Sequence, residues 1–187
     1  MRRFARIWRA WDMGGEWVKT TVGEIVFINT DTYSPKEKWD YVNYLDTGNI
    51  TSGVINSVQN IARDEKLPSR ARRKVLAGDI VYSTVRPNQR HYGIIANPLE
   101  NMLVSTGFSV IRGDNQNCYT KFLYYYLAQE SVVKMLQTIG EHSTSAYPSI
   151  KPSDIESLSI LLPPLSEQKA IAYILGTLDD KIELNRQ

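Results

Sequence analysis

One cysteine and two histidines in 187 residues remove several protein classes at once. The lone thiol, Cys118, can form neither an intramolecular disulfide nor a thiolate cluster for zinc nor a paired redox motif. It reads as a plain core residue, and such cysteine usage fits a reducing cytoplasm. No apolar run reaches the roughly 18 residues that a membrane span needs, and no secretory signal pattern is present, so neither a membrane partner nor export is expected. Charge of one sign is also missing: 22 Lys and Arg against 20 Asp and Glu leave a net charge of +2. The balance is uneven along the chain. Residues 1–93 hold 15 basic and 10 acidic side chains, and the remainder holds 7 and 10. That asymmetry allows a basic surface without demanding one.

The chain is long enough for one well-buried domain with a small appendage. At the start, residues 1–11 place Phe4, Ile7, Trp8 and Trp11 at helical spacing, with arginines between them. We read residues 1–13 as a leader or as the result of an early start assignment, since Met13 could itself begin the chain. From Trp17 to Arg112, β-branched and aromatic runs punctuated by glycine turns predict short strands, among them 80–85, 92–96 and 108–112. Residues 119–137 change to helical period, with Gly140 expected to close that helix. A last strand is expected over 158–162, stopped by Pro163 and Pro164. Ser166 then stands as the N-cap of a terminal helix with Glu167 in its first turn. The fold class is therefore mixed α/β, with a mixed or mainly antiparallel sheet, packed helices and a C-terminal helix of coiled-coil type.

In that last helix Ile171, Leu175, Leu178, Ile182 and Asn185 alternate spacings of four and three, the seam of a coiled coil. From Ser166 to Gln187 it would run about 33 Å. Two readings stay open, because only two heptads are visible: a projecting dimerisation helix, or an amphipathic helix folded back on its own domain.

Catalytic motifs are scarce. Asp154, Glu167 and Lys169 together suggest a metal-dependent nuclease, yet the proline pair puts Glu167 and Lys169 in a helical first turn instead of on a strand. Leu162-Pro163-Pro164-Leu165 and Asn97-Pro98-Leu99 lack the acceptor and stacking ring of an adenine methyltransferase motif. No phosphate-binding glycine loop is present, so ATP has no site of that kind, and the adjacent Glu141, His142 and Ser143 cannot converge as a hydrolytic triad. No metal site and no catalytic residue is expected.

The order of motifs resembles one family. Leu162-Pro163-Pro164-Leu165-Ser166-Glu167-Gln168-Lys169-Ala170-Ile171-Ala172, followed by Leu178-Asp179-Asp180-Lys181-Ile182, resembles the junction between a target-recognition domain and its helix in type I restriction-modification specificity subunits. Tyr44-Leu45-Asp46-Thr47-Gly48-Asn49-Ile50, Ala77-Gly78-Asp79-Ile80-Val81-Tyr82-Ser83 and Val85-Arg86-Pro87 agree in order. The resemblance implies a non-catalytic, cytoplasmic DNA-specificity module comprising a recognition domain over 14–164 and a dimerisation or spacer helix over 165–187. It places S-adenosylmethionine, ATP and Mg²⁺ in methyltransferase and restriction/motor subunits that would be its partners on double-stranded DNA. With one recognition domain and no internal repeat the chain looks like half a subunit. It would pair with a second copy or another half and so read a split, palindromic target. The alternative is a truncated or silent specificity cassette.

Three segments carry the chemistry of DNA contact. Arg86, Asn88, Gln89, Arg90, His91 and Tyr92 combine forked hydrogen-bonding groups after a strand and suit base or phosphate contact. For Arg86 a buried structural ion pair competes. Lys66, Arg70, Arg72, Arg73 and Lys74 form the densest basic cluster, suited to phosphates or to a solvated face. Ser143, Thr144, Ser145 and Tyr147 lie in a polar loop able to approach phosphates, a composition that loop formation alone also explains.

Overall fold

In the computed structural model, residues 16–143 and 146–185 are described. The expected amphipathic stretch over 1–11, the alternative start at Met13, and Thr144, Ser145 and Arg186 lie outside those residues.

Strand β8 (Asp79–Ser83) is buried along its whole length, and the layers are arranged around it. Gly78 launches it at φ +90, a backbone angle that residues with a Cβ avoid. β8 pairs antiparallel with β9 (Tyr92–Ile95) and β11 (Phe108–Gly113), and β11 continues to β2 (Val26–Ile28), giving the order β2-β11-β8-β9. The second sheet comprises β3 (Tyr41–Leu45), β6 (Gln59–Ala62), β7 (Ala71–Lys74) and β10 (Met102–Ser105) in the order β6-β3-β10-β7. There β3 and β10 run parallel and the other pairs antiparallel. Two small pairs complete the strands: β4 (Ile50–Thr51) with β5 (Val54–Ile55), and β1 (Val18–Thr21) with β12 (Ser159–Leu162). The mixed α/β class and the strands expected near 80, 92, 108 and 158 are those observed.

Alternation along the strands builds the layers, since successive side chains point to opposite faces. Ile80, Tyr82, Tyr92 and Ile111 face a helical layer, while Val81, Ile95, Phe108 and Val110 face Leu45, Met102 and Val104 of the second sheet. The far side of that sheet carries a third apolar cluster of Tyr33, Val42, Tyr44, Ile61, Ala71 and Leu103.

The helical layer departs from the expectation of one helix over 119–137. It contains α1 (Thr120–Leu127) and α2 (Glu130–Glu141), separated at Gln129, whose extended φ −60, ψ 138 breaks the helix. The apolar pattern explains the break. At about 100° per residue, the buried Leu123 and Leu127 fall opposite Val132 and Leu136, while Phe122 shares the face of Val133 and Gly140. One straight helix would have to bury most of its circumference to cover them all. Nor does Gly140 end the helix as expected. It lies inside α2, where an added Cβ would stand 3.1 Å from the Ser149 nitrogen and 3.3 Å from the Pro148 carbonyl carbon, so it permits two backbones to approach.

After a single helical turn, α3 (Pro152–Glu156), β12 leads through Pro163 and Pro164 into α4 (Leu165–Leu184). Helical bonds from Glu167 and Gln168 to the Pro164 carbonyl start α4 one residue before the expected N-cap, within the normal scatter of helix ends. Gln168 is fully buried. Its Nε2 donates to the carbonyls of Asn117 and Pro163, both at 2.8 Å, and its Oε1 accepts from Tyr119 N at 2.8 Å. Breaking this set would strand a buried amide, so it fixes the base of α4 to the body. Farther along, the Tyr125 hydroxyl donates to Asp179 at 2.8 Å.

Cys118 is buried, as its solitary occurrence suggested, and burial, with Asp114 nearby, pushes its thiol up to about 12. The thiolate is the reacting species. Iodoacetamide at neutral pH should therefore leave the native chain unlabelled and modify it only in denaturant; rapid labelling of the native chain would contradict this packing.

Candidate nucleic-acid interface

Two of the three segments singled out in the sequence meet on one surface. After β8 the chain turns through a single 3-10 turn at Pro87–Gln89, bracketed by Arg86 at φ 49 and Arg90 at φ 55. Left-handed conformations at non-glycine residues cost on the order of 1 kcal/mol or more each and persist only where the surroundings enforce them. The enforcing contacts come from the other loop and from α2. Thr84 accepts from Ile150 N at 2.8 Å, Val85 bridges Ser149, and Arg86 N donates to the Pro148 carbonyl at 2.8 Å. Asn88 N donates to Gln137 Oε1 at 3.2 Å.

The side chains follow. The Arg86 guanidinium lies 4.4 Å over the Tyr147 ring, a cation–π contact that displaces the structural ion pair considered for it. Asn88 and Gln89 are exposed at the crest of the turn. Ser143 is half-buried beside Ser149, the two hydroxyls 3.3 Å apart. Arg90 forms an ion pair with Glu130, whose charge, foremost, raises the guanidinium pKa. His91 turns the other way, its Nδ1–H donating to the Ile50 carbonyl at 2.7 Å, and so ties β9 to the β4–β5 hairpin. Tyr92 corrects the expectation of contact with DNA. Its side chain is 3 % exposed, stacked on Tyr82 at 5.2 Å and edge-on to Tyr124, and is withdrawn into the core.

The basic cluster divides. Arg70 is exposed at the end of the second sheet that adjoins the turn. Its carbonyl accepts from Thr106 N at 2.8 Å, and the neighbouring Gly107 carbonyl accepts from Thr84 N at 2.8 Å. Lys66 is exposed. Lys74 lies four residues beyond Arg70, about 13 Å along an extended strand, and is already engaged. Its Nζ meets Glu37 at 2.5 Å and stands 5.2 Å over the Trp39 ring, and this contact lowers the Glu37 pKa. Arg72 and Arg73 are half-buried. Arg72 Nη1 donates to the Ala71 carbonyl, and burial lowers the Arg73 pKa. For Arg72, Arg73 and Lys74 the expected free basic face is thus replaced by the edge of a sheet held from within.

Both carboxylates of the nuclease reading have other partners. Asp154 accepts from Lys151 N at the start of α3, and Glu167 accepts from the Trp17 indole at 2.9 Å. Among the described residues no group of three or more His, Cys, Asp or Glu is placed to hold a metal ion, and no helix is long and apolar enough to cross a membrane.

On α4, Ala172 and Gly176 are buried against the body, and the seam runs along the flank of the helix, packed on the core at Ile171 and more exposed toward the C-terminal end. Ile171 and Leu175 are half-buried, Leu178 and Ile182 are 50 % and 48 % exposed, and Asn185 is exposed. Ile174 joins the stripe at 60 % exposure. The spacing argument missed it, as it missed Gln137, Glu130 and Gln168, whose roles come from neighbours distant in sequence.

What the surface offers chemically is amide and guanidinium forks on a pinned turn. Groups of that kind can match the hydrogen-bond pattern of a base edge. The family profile described as "Type I restriction modification DNA specificity domain" matches residues 14–187. The chain is 30% identical over 172 residues to the HindI specificity subunit of a type I restriction enzyme from Haemophilus influenzae, covering 92% of this chain and 37% of the relative. It superposes on the crystal structure of the HsdS subunit from Thermoanaerobacter tengcongensis with a TM-score of 0.78 and 29% identity, covering 91% of this chain and 44% of the other. The S subunit from M. genitalium, at 15% identity and a TM-score of 0.56 over 99% of this chain and 45% of its own, shares the fold. The chain thus spans less than half the length of these relatives.

Proposed function

The chain belongs to the type I restriction-modification DNA specificity family, and from that membership we propose that it selects the duplex sequence on which methyltransferase and restriction/motor subunits act, without catalysing a reaction itself. The observation that carries this reading is the convergence of the 84–91 turn and the 147–150 segment into one surface presenting Arg86, Asn88 and Gln89, with Arg70 at its border. Asparagine and glutamine amides suit adenine, arginine forks suit guanine, and each well-made pair discriminates against a wrong base by about 1–3 kcal/mol. Arg70, Lys66 and Ser143 supply positioning contacts to the phosphates. S-adenosylmethionine, ATP and Mg²⁺ are cofactors of the partner subunits in this reading.

The seam on α4 fits pairing with a second copy or another half-subunit. Such a pair would present two recognition bodies related by two-fold symmetry to a split target.

Methylome sequencing of cells carrying the chain with its methyltransferase partner tests the proposal. Asn88→Ala should change which adenines are methylated. Arg90→Ala, which frees the turn from Glu130, should blur the choice of adenines. Adenine methylation unchanged in both variants would refute the assignment of this surface.

A further inference from the structure

The turn that offers Asn88 and Gln89 does not hold its own shape. Its two flanking residues are left-handed, its only internal bonds are Gln89 N to Arg86 O at 2.9 Å and Arg90 N to Pro87 O at 3.0 Å, and its crest is exposed. Helix α2 supports it at three heights. At the N-terminal end Glu130 binds Arg90. Near the C-terminal end Gly140 lets the Pro148–Ser149 backbone pass close to the helix, and that backbone holds Val85 and Arg86. Between them, Gln137 Oε1 accepts the Asn88 N–H. The Gln137 amide is itself oriented, because its Nε2 donates to Glu141 Oε1 at 2.9 Å and leaves the oxygen directed at the turn.

We propose that Gln137 is a positioning residue for sequence readout: through the Asn88 N–H it fixes the height and direction of the amide side chains at the crest, without touching DNA itself. The inference rests on the proposed function and names the side chain on which its accuracy depends. A base-edge contact is made or lost within a few tenths of an ångström, since hydrogen bonds weaken steeply with distance and angle. A turn free to relax its left-handed residues would keep its charge and lose its aim. Removing the Gln137 acceptor should therefore reduce discrimination between sequences and leave general DNA affinity intact, a separation that simple destabilisation would not produce.

The test uses the chain assembled with its methyltransferase partner and two duplexes, one carrying the target found by methylome sequencing and one with that target scrambled. Gln137→Met keeps length and volume but has no acceptor. The ratio of target to scrambled affinity should fall about tenfold, within the discrimination that one base contact carries, with scrambled-duplex affinity and its salt slope unchanged. Gln137→Glu combined with Glu141→Gln keeps an accepting oxygen at 137, reverses the amide–carboxylate bond between the two positions and leaves the charge unchanged. It should keep both affinities, and their ratio, within about twofold of the original. An unchanged ratio in Gln137→Met, or an equal loss on both duplexes, would overturn the inference while leaving the proposed function standing. No preference in the unsubstituted assembly would instead remove the proposed function, and this inference with it.

Discussion

Asp79→Ala should lower the melting temperature by roughly 10 °C. Asp79 is 1 % exposed at the start of β8, and its two oxygens meet Arg112 Nε at 2.7 Å and Nη2 at 2.8 Å in a forked pair. It also accepts the Leu76 N–H at 2.7 Å, so alanine strands a backbone donor and a guanidinium together. Breaking a buried pair from one side costs about 3–5 kcal/mol, because the remaining charge stays desolvated. The two partners are unequal, and that sharpens the expectation. Arg112 is partly exposed and keeps Asp31 at 3.3 Å when Asp79 is removed. Arg112→Met leaves the Asp79 carboxylate alone in the interior and should be the worse of the two. Thermal melts followed by circular dichroism decide the matter; a shift under about 2 °C for Asp79→Ala would show that the pair contributes little.

The second large effect is on assembly. Leu178→Glu combined with Ile182→Glu should convert a paired species into a monomer of 21.3 kDa and abolish methylation in cells. Both side chains are about half exposed, with Ile182 bordering the groove between α4 and Tyr124, and circular dichroism should show the double variant still folded. In a paired state each would be buried, and every apolar side chain of this size contributes about 1.5–3 kcal/mol on burial. Exchanging two of them for carboxylates should weaken association by at least about a hundredfold. Multi-angle light scattering reads the result. If the unsubstituted chain is already a monomer in the presence of a methyltransferase partner, or the double variant still pairs, the seam has another purpose.

Much of this architecture is legible because local patterns and tertiary demands agree. Gly78 and Asp79 announce β8, the proline pair announces α4, and the period of two separates the faces of each strand. Legibility fails where a distant neighbour decides. The break at Gln129 has no proline or glycine to mark it, and only the phase slip between Leu127 and Val132 gives it away. Gly140 carries the composition of a helix stop but serves close packing, a difference visible only once Pro148 and Ser149 lie beside it. Tyr92 shares a polar stretch with Arg90 and His91, yet the alternation of β9 turns its ring into the core. Lys74 reads as one more cation until Glu37 and Trp39 fold over it. The readout surface follows the same rule: the sequence names Arg86 and Tyr147 as separate candidates, and the strand-like bridge from Val85 to Ser149 makes them neighbours.

The pairing of β1 with β12 sets Val18 opposite Leu162 in one antiparallel ladder. The first and last strands of the recognition body are therefore adjacent, and α4 departs from beside the point where the chain enters, held there by Gln168 and Ala172. A unit whose entry and exit strands touch can be transplanted into a different host chain with no strand left unmatched. A graft running from 18 through α4 should accordingly preserve its fold, whereas a cut within β8, or a stop at Leu162 that strands the partners of Gln168, should not.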